Sequence, residues 1–165
     1  RRRLPVWADP QTQDALLSRF GYAFVQPAGS PYPPICDLNT IHGPVQIDGA
    51  GGRLELVPFR VDHGSMDALG FRIGDLAYLP DVVRIPEATW PLLEGLECWI
   101  LDALRYKPHP THAHVALALD WIARAAPRRA VLTNMHVDLD HARLESETPA
   151  HVSVAHDGMV LEFDL

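Results

Sequence analysis

The sequence predicts an α/β fold in which helices pack on a mixed β-sheet, and three features of the chain lead there. Short alternating or apolar runs broken by Gly, Pro and Asp dominate the first half. The second half alternates apolar runs with amphipathic helical stretches, the pattern of strand–helix layering. Imidazole and carboxylate groups recur just past the ends of the apolar runs, where layered α/β folds collect their ligand sites.

In chain order, residues 3–8 (RLPVWA) read as a strand. Asp9 and Pro10 then suit the N-cap and first turn of a helix over 11–20, with Ala15, Leu16, Leu17 and Phe20 on its apolar side and Gly21 ending it. Residues 22–25 suggest another strand, and 26–34 form a Pro/Gly-rich loop. Residues 45–47 and 53–59 alternate around the hairpin turn 48–52. A polar break carrying His63 and Gly64 follows.

Residues 70–73 and 76–79 form a hairpin around Gly74-Asp75, ending at Pro80-Asp81. A helix is predicted from about 85 to 93, stopped by Gly95. Residues 97–101 (ECWIL) read as a buried strand closed by Asp102. The loop RYKPHPTHAH leads into a helix over 114–126 with Thr111 as a candidate N-cap and Pro127 as its stop. The strand 130–132 precedes a helix from about 138 to 147, capped by Asp138 or Asp140. Residues 151–155 and 159–163 suggest two closing strands.

A length of 165 residues suggests one domain large enough to bury a core. No run approaches the ~18 apolar residues of a membrane span, so no membrane partner is expected and a cytoplasmic location is the default. Cys36 and Cys98 make neither a metal pair nor a disulfide framework. A net charge of −7 argues against an extended nucleic-acid track and for a small-molecule substrate. Seven of the nine histidines fall between residues 109 and 156.

Four places stand just past a strand end: His63, Asp81, Asp102 and the pair Asn134/His136. A His/Asp set of this kind suits Zn²⁺ or Mn²⁺, with a carboxylate able to bridge two ions. The loop with His109, His112 and His114 precedes a helix, whose N-terminus favours an anion such as phosphate. An imidazolium there could protonate a leaving alkoxide. A polar loop that merely caps the next helix explains the 134–141 stretch just as well.

The ordered pieces LPVWA (4–8), DHGSMDALGFRI (62–73), YLPD (78–81), LDALRYKPHPTHAH (101–114), LTNMHVDLD (132–140) and AHDGM (155–159) resemble the metallo-β-lactamase-fold hydrolases. The likeness is to the phosphodiesterase branch that includes phosphoribosyl cyclic phosphodiesterase. It implies an αββα sandwich of mixed sheets with flanking helices and two divalent metal ions, Zn or Mn. It also implies that His63 is a metal ligand, that Asp81 bridges both ions, and that His112 contacts phosphate and acts as general acid. The family's last ligand is a histidine directly after Leu-Thr, where this chain has Asn134, an oxygen donor suited to a harder ion; His136, two residues on, is the preferred substitute.

The family's early His-x-His-x-Asp-His signature is absent from the 165 residues, and LPVWA normally follows it. The resemblance therefore implies the C-terminal two-thirds of a fold incomplete at its N-terminus, with weak or absent metal binding and no activity from these residues alone. The whole protein is expected to hydrolyse a small cyclic or nucleotide-like phosphodiester. An ester, lactone or thioester hydrolase on the same centre is the alternative, as is an inactive piece that self-associates, for example as a homodimer, through an exposed sheet edge.

Overall fold

The apolar run CWILD at β7 (Cys98–Asp102) is buried at four of its five positions, and RAVLT at β8 (Arg129–Thr133) at its middle three. Such near-continuous burial belongs to strands covered on both faces, and the two lie side by side in parallel at the heart of a sheet. The computed structural model describes residues 2–163. Contacts divide the chain into two compact units, residues 1–45 and 46–165.

In the first unit, β1 (Leu4–Ala8) pairs in parallel with β2 (Cys36–Thr40). Between them runs α1 (Pro10–Phe20), whose N-cap Asp9 accepts the Thr12 N–H at 2.9 Å. The strand predicted over 22–25 is instead a 3₁₀ turn, Gly21–Ala23, in which the Phe24 and Val25 N–H groups both return to the Gly21 carbonyl.

The second unit holds a sheet in the order β3-β4-β5-β6-β7-β8-β9, with β3 spanning Val45–Gly49 and β9 spanning Val152–Val154. Strands β4 (Gly52–Asp62), β5 (Asp67–Ile73) and β6 (Leu76–Leu79) form an antiparallel meander. From β6 through β9 the pairing is parallel. Two antiparallel steps return β6 to the direction of β4. The C-terminal ends of β4, β6, β7 and β8 therefore lie along one edge. Phe59 faces Gly70 across the β4–β5 ladder, and a Cβ at Gly70 would sit 2.3 Å from the ring. Only glycine allows that ring to reach the core.

The core gathers Val61, Leu79, Trp99, Leu101 and Leu132 with Ile122 of α2 (Val115–Ala125) and Leu144 of α3 (His141–Glu147). Ala126 takes a left-handed C-cap conformation before Pro127. The predicted N-cap of α2, Thr111, lies three residues too early, and His114 holds that position without a side-chain cap. Asp140 caps α3 by accepting the Arg143 N–H at 2.8 Å. The helix predicted over 85–93 is a 3₁₀ segment, Glu87–Leu93, because Pro91 inside it cannot donate an α-type hydrogen bond. The last predicted strand, 159–163, does not form; those residues run without regular structure after the turn at Gly158. Among the described residues no helix is long and apolar enough to cross a membrane.

Candidate metal and acid–base site

The shared sheet edge carries the polar groups in register. His63 follows the end of β4, Asp81 stands two residues past β6, Asp102 ends β7, and Asn134 follows β8. Among the described residues, the side chains able to hold a metal ion together are His63, Asp81 and His112, with one ligand atom from each all within 4.8 Å of one another.

Each of the three is fixed from behind. The His63 Nδ1 lies 2.7 Å from the Thr111 carbonyl oxygen, which can only accept, so Nδ1 carries the proton and Nε2 is left unprotonated. A backbone carbonyl on one imidazole nitrogen is the usual way a ligating histidine is oriented. The approach of the two loops depends on Gly64. Its φ is +84°, and a Cβ there would lie 2.5 Å from Thr111 Cγ2.

The loop bearing Asp81 is pinned on two sides. The Val83 and Arg84 N–H groups reach the Asp62 carbonyl, at 2.8 and 3.3 Å, and the Arg84 guanidinium holds the Asp62 carboxylate at 2.6 Å. The Gly64 N–H, the largest influence, and Arg84 together hold the Asp62 carboxyl below its ordinary range. On the other side the Val82 N–H points to Asp102 Oδ2 at 3.4 Å.

Asp102 is the centre of the acid–base geometry, and its side chain is 0% exposed. It accepts from His112 Nδ1 at 2.9 Å, the Ala113 N–H at 3.2 Å and Asn134 Nδ2 at 3.2 Å. Burial pushes its carboxyl up, and the His112, Asn134 and Ala113 hydrogen bonds pull against that. The same His112 Nδ1 lies 3.9 Å from Asp81 Oδ1, and the ring stands edge-on to His63 at 4.7 Å between centroids. The sequence marked Asp102 as a strand-end carboxylate without giving it a partner. The missing signal was distance along the chain, since its imidazole comes ten residues later in another loop.

The other predicted residues divide. His109 packs against His112, with ring centroids 5.3 Å apart, and its Nδ1 accepts the Thr111 N–H at 3.3 Å. Desolvation first, then the charges of Arg105, His112 and His63, hold the His109 imidazole below its ordinary range, so it is neutral at neutral pH. His114 is spent on the start of α2 and is not brought into the metal-competent group. The Val115 N–H in that first turn already donates to the Arg105 carbonyl. His136 is half-exposed and also stands outside the group, its Nδ1 3.3 Å from Asp138 Oδ2. Asn134 faces Asp102 and the Pro80 carbonyl, 3.2 Å from each.

A mixed sheet whose C-terminal edge collects histidine and aspartate is the arrangement of the metallo-β-lactamase fold. The family model described as the beta-lactamase superfamily domain matches residues 1–135, and the chain belongs to that family of metal-dependent hydrolases. Its phosphodiesterase-side likeness is to a diphosphatase of the PhnP family, with a TM-score of 0.86 and 31% identity over 100% of this chain and 60% of that one. The Zn²⁺-bound PqqB of Methylobacterium extorquens shares the fold at a TM-score of 0.70 and 16% identity, over 98% of this chain and 66% of its own. A curated relative, an octanoyltransferase of Porphyromonas gingivalis, is 29% identical over 163 residues, which make up 96% of this chain and 32% of that protein. The chain thus spans a third of the curated relative and under two thirds of these structures.

Proposed function

We propose that these residues form part of a divalent-metal-dependent phosphodiesterase centre acting on a small cyclic or nucleotide-like phosphodiester. The observation that carries the reading is the meeting of His63, Asp81 and His112 ligand atoms within 4.8 Å, backed by a carboxylate buried at 0% exposure. An imidazole nitrogen from His63 and a carboxylate oxygen from Asp81 are donors that fit Zn²⁺ or Mn²⁺. His63, through Nε2, and Asp81 would hold the ion. When bound, such an ion acidifies water and neutralises charge on phosphoryl oxygens.

The remaining work falls to the chain's own groups. Asp102 holds His112 by Nδ1 and stabilises its imidazolium form. From Nε2 that imidazolium donates a hydrogen bond to a phosphoryl oxygen and passes a proton to the leaving alkoxide. His109, neutral and tied to Thr111, fills the flank of His112 without adding charge. The likeness to a PhnP-family diphosphatase supports phosphorus over acyl chemistry. The octanoyltransferase relative weighs less against it, because two thirds of that protein lies outside the match.

A substrate panel tests the reading in the full-length protein: bis-p-nitrophenyl phosphate, a ribose cyclic phosphate, a dinucleoside diphosphate and a lactone. Metal-stimulated turnover of the phosphate diesters is the expected result. Lactone turnover with the phosphate compounds inert would overturn it.

A further inference from the structure

Asn134 stands where the family resemblance calls for a histidine ligand, and its backbone is unusual. Its φ is +62°; among the described residues only Ala126 shares a positive φ without being glycine. Left-handed backbone costs roughly 1–2 kcal/mol for most side chains, and Asn is among those that tolerate it. That conformation turns the side chain back over the sheet edge. Its Nδ2 then lies 3.2 Å from the Pro80 carbonyl and 3.2 Å from Asp102 Oδ1. A carbonyl and a carboxylate can only accept, so the amide NH₂ must face them, and its carbonyl oxygen is turned the other way. The 3.3 Å approach of the same Nδ2 to His112 Nδ1 is close packing rather than a hydrogen bond, since that imidazole proton goes to Asp102.

We propose that Asn134 is a positioning residue and not a metal ligand: one amide straps the loop bearing Asp81, through the Pro80 carbonyl, to the carboxylate that holds His112. The strap spans the two halves of the site. Asp81 is one residue from Pro80, His112 is one hydrogen bond from Asp102, and the strap fixes the Asp81–His112 separation of 3.9 Å. Pro80 strengthens this role, because its ring limits the backbone freedom of the loop whose carbonyl is held. A histidine at 134 could not supply two donors from one atom to acceptors on both sides. The kinetic part of the inference rests on the hydrolase reading; the structural part does not.

The test compares Asn134→Gly, which keeps the left-handed backbone and deletes the amide, with Asn134→Asp, which keeps the shape but sets an acceptor against two acceptors. Ring ¹⁵N–¹H correlation spectra report the His112 tautomer and the exchange of its Nδ1 proton in the protein without metal. Both variants are expected to exchange that proton about tenfold faster or more, with a melting point close to wild type for Asn134→Gly. Zn²⁺ titration of Asn134→Gly is expected to give the wild-type stoichiometry, while kcat falls about tenfold at unchanged KM, the low end of what an outer partner of a metal site controls. Loss of zinc on removing the amide would make Asn134 a ligand and overturn the proposal. An unchanged His112 proton in both variants would overturn it as well. Absence of phosphodiester turnover in the wild type would sink the hydrolase reading alone, leaving the spectra to decide the strap.

Discussion

Replacing Asp102 by Asn probes the group on which the site's geometry converges. Four donors point at this carboxylate: His112 Nδ1, Asn134 Nδ2 and the Ala113 and Val82 N–H groups. Three of them share Oδ2 and only Asn134 Nδ2 meets Oδ1, so an amide oxygen at the Oδ2 position leaves the new NH₂ confronting the Asn134 amide alone. The Val82 contact, at 3.4 Å, is the weakest and counts for little. A buried donor left without an acceptor costs about 1–3 kcal/mol, partly offset because a neutral amide is easier to bury than a carboxylate. A net loss of about 1–2 kcal/mol corresponds to roughly 2–8 °C in Tm for a chain of this size. The variant also weakens the hold on the His112 Nδ1 proton, an amide oxygen being a poorer acceptor than a carboxylate, so kcat should fall about 10–100-fold.

The pH dependence has a definite sign. Burial raises the Asp102 carboxyl above its ordinary value of 3.8, so the fold holds this proton more tightly than the unfolded chain does. Its contribution therefore grows as pH falls into the range just above 3.8 and is lost as pH rises through the raised value. Thermal denaturation by circular dichroism across that range should show wild type gaining on Asp102→Asn toward acid. Equal melting points, parallel pH curves and unchanged turnover would together refute the role given to this carboxylate.

Two further substitutions separate the parts of the site. His112→Ala should leave metal affinity near wild type while lowering phosphodiester turnover by about 10²–10⁴, the usual scale for a general acid; turnover within twofold of wild type would remove His112 from the chemistry. Gly64→Ala forces a Cβ to 2.5 Å from Thr111 Cγ2 at a φ of +84°. Calorimetry should show a loss of at least about 1–2 kcal/mol from the backbone alone. Metal affinity should weaken with it, because the Thr111 carbonyl that orients His63 must shift; an unperturbed His63 Nδ1 proton would argue that the loops can part freely.

Most strands are legible in the sequence where apolar runs meet sharp breaks, 159–163 being an apolar run after such a break that forms none. Residues 76–79 have the bounds their pattern predicts, and the Asp9-Pro10 start of α1 follows from local chemistry; for α3 local chemistry offers Asp138 or Asp140, and the structure selects Asp140. Errors fell where local composition misleads. Tyr22 to Val25 is β-compatible by residue type, yet the chain turns there on the Gly21 carbonyl. Residues 85–93 carry a helical start signal, but Pro91 limits them to 3₁₀ geometry.

For the site, period and spacing could mark His63, Asp81 and Asp102 as strand-end groups, because a strand edge is a local property. Which of them meet is set by the β4-β5-β6-β7-β8 order, which no short window contains. The Asp102–His112 pair and the Asn134 strap are contacts of that kind. Past β8 the left-handed backbone of Asn134 ends the alternation of side chains that a strand would continue, a turn that residue type alone does not announce.

If His63 and Asp81 hold a divalent ion at this edge, the metal content of the protein reports it. Full-length wild type, His63→Ala and Asp81→Ala are to be loaded with Zn²⁺ or Mn²⁺, desalted and assayed by atomic emission. Bound metal is expected in the wild type, with a loss of at least one equivalent in each variant and folding retained by circular dichroism. Full stoichiometric metal in both variants would contradict it.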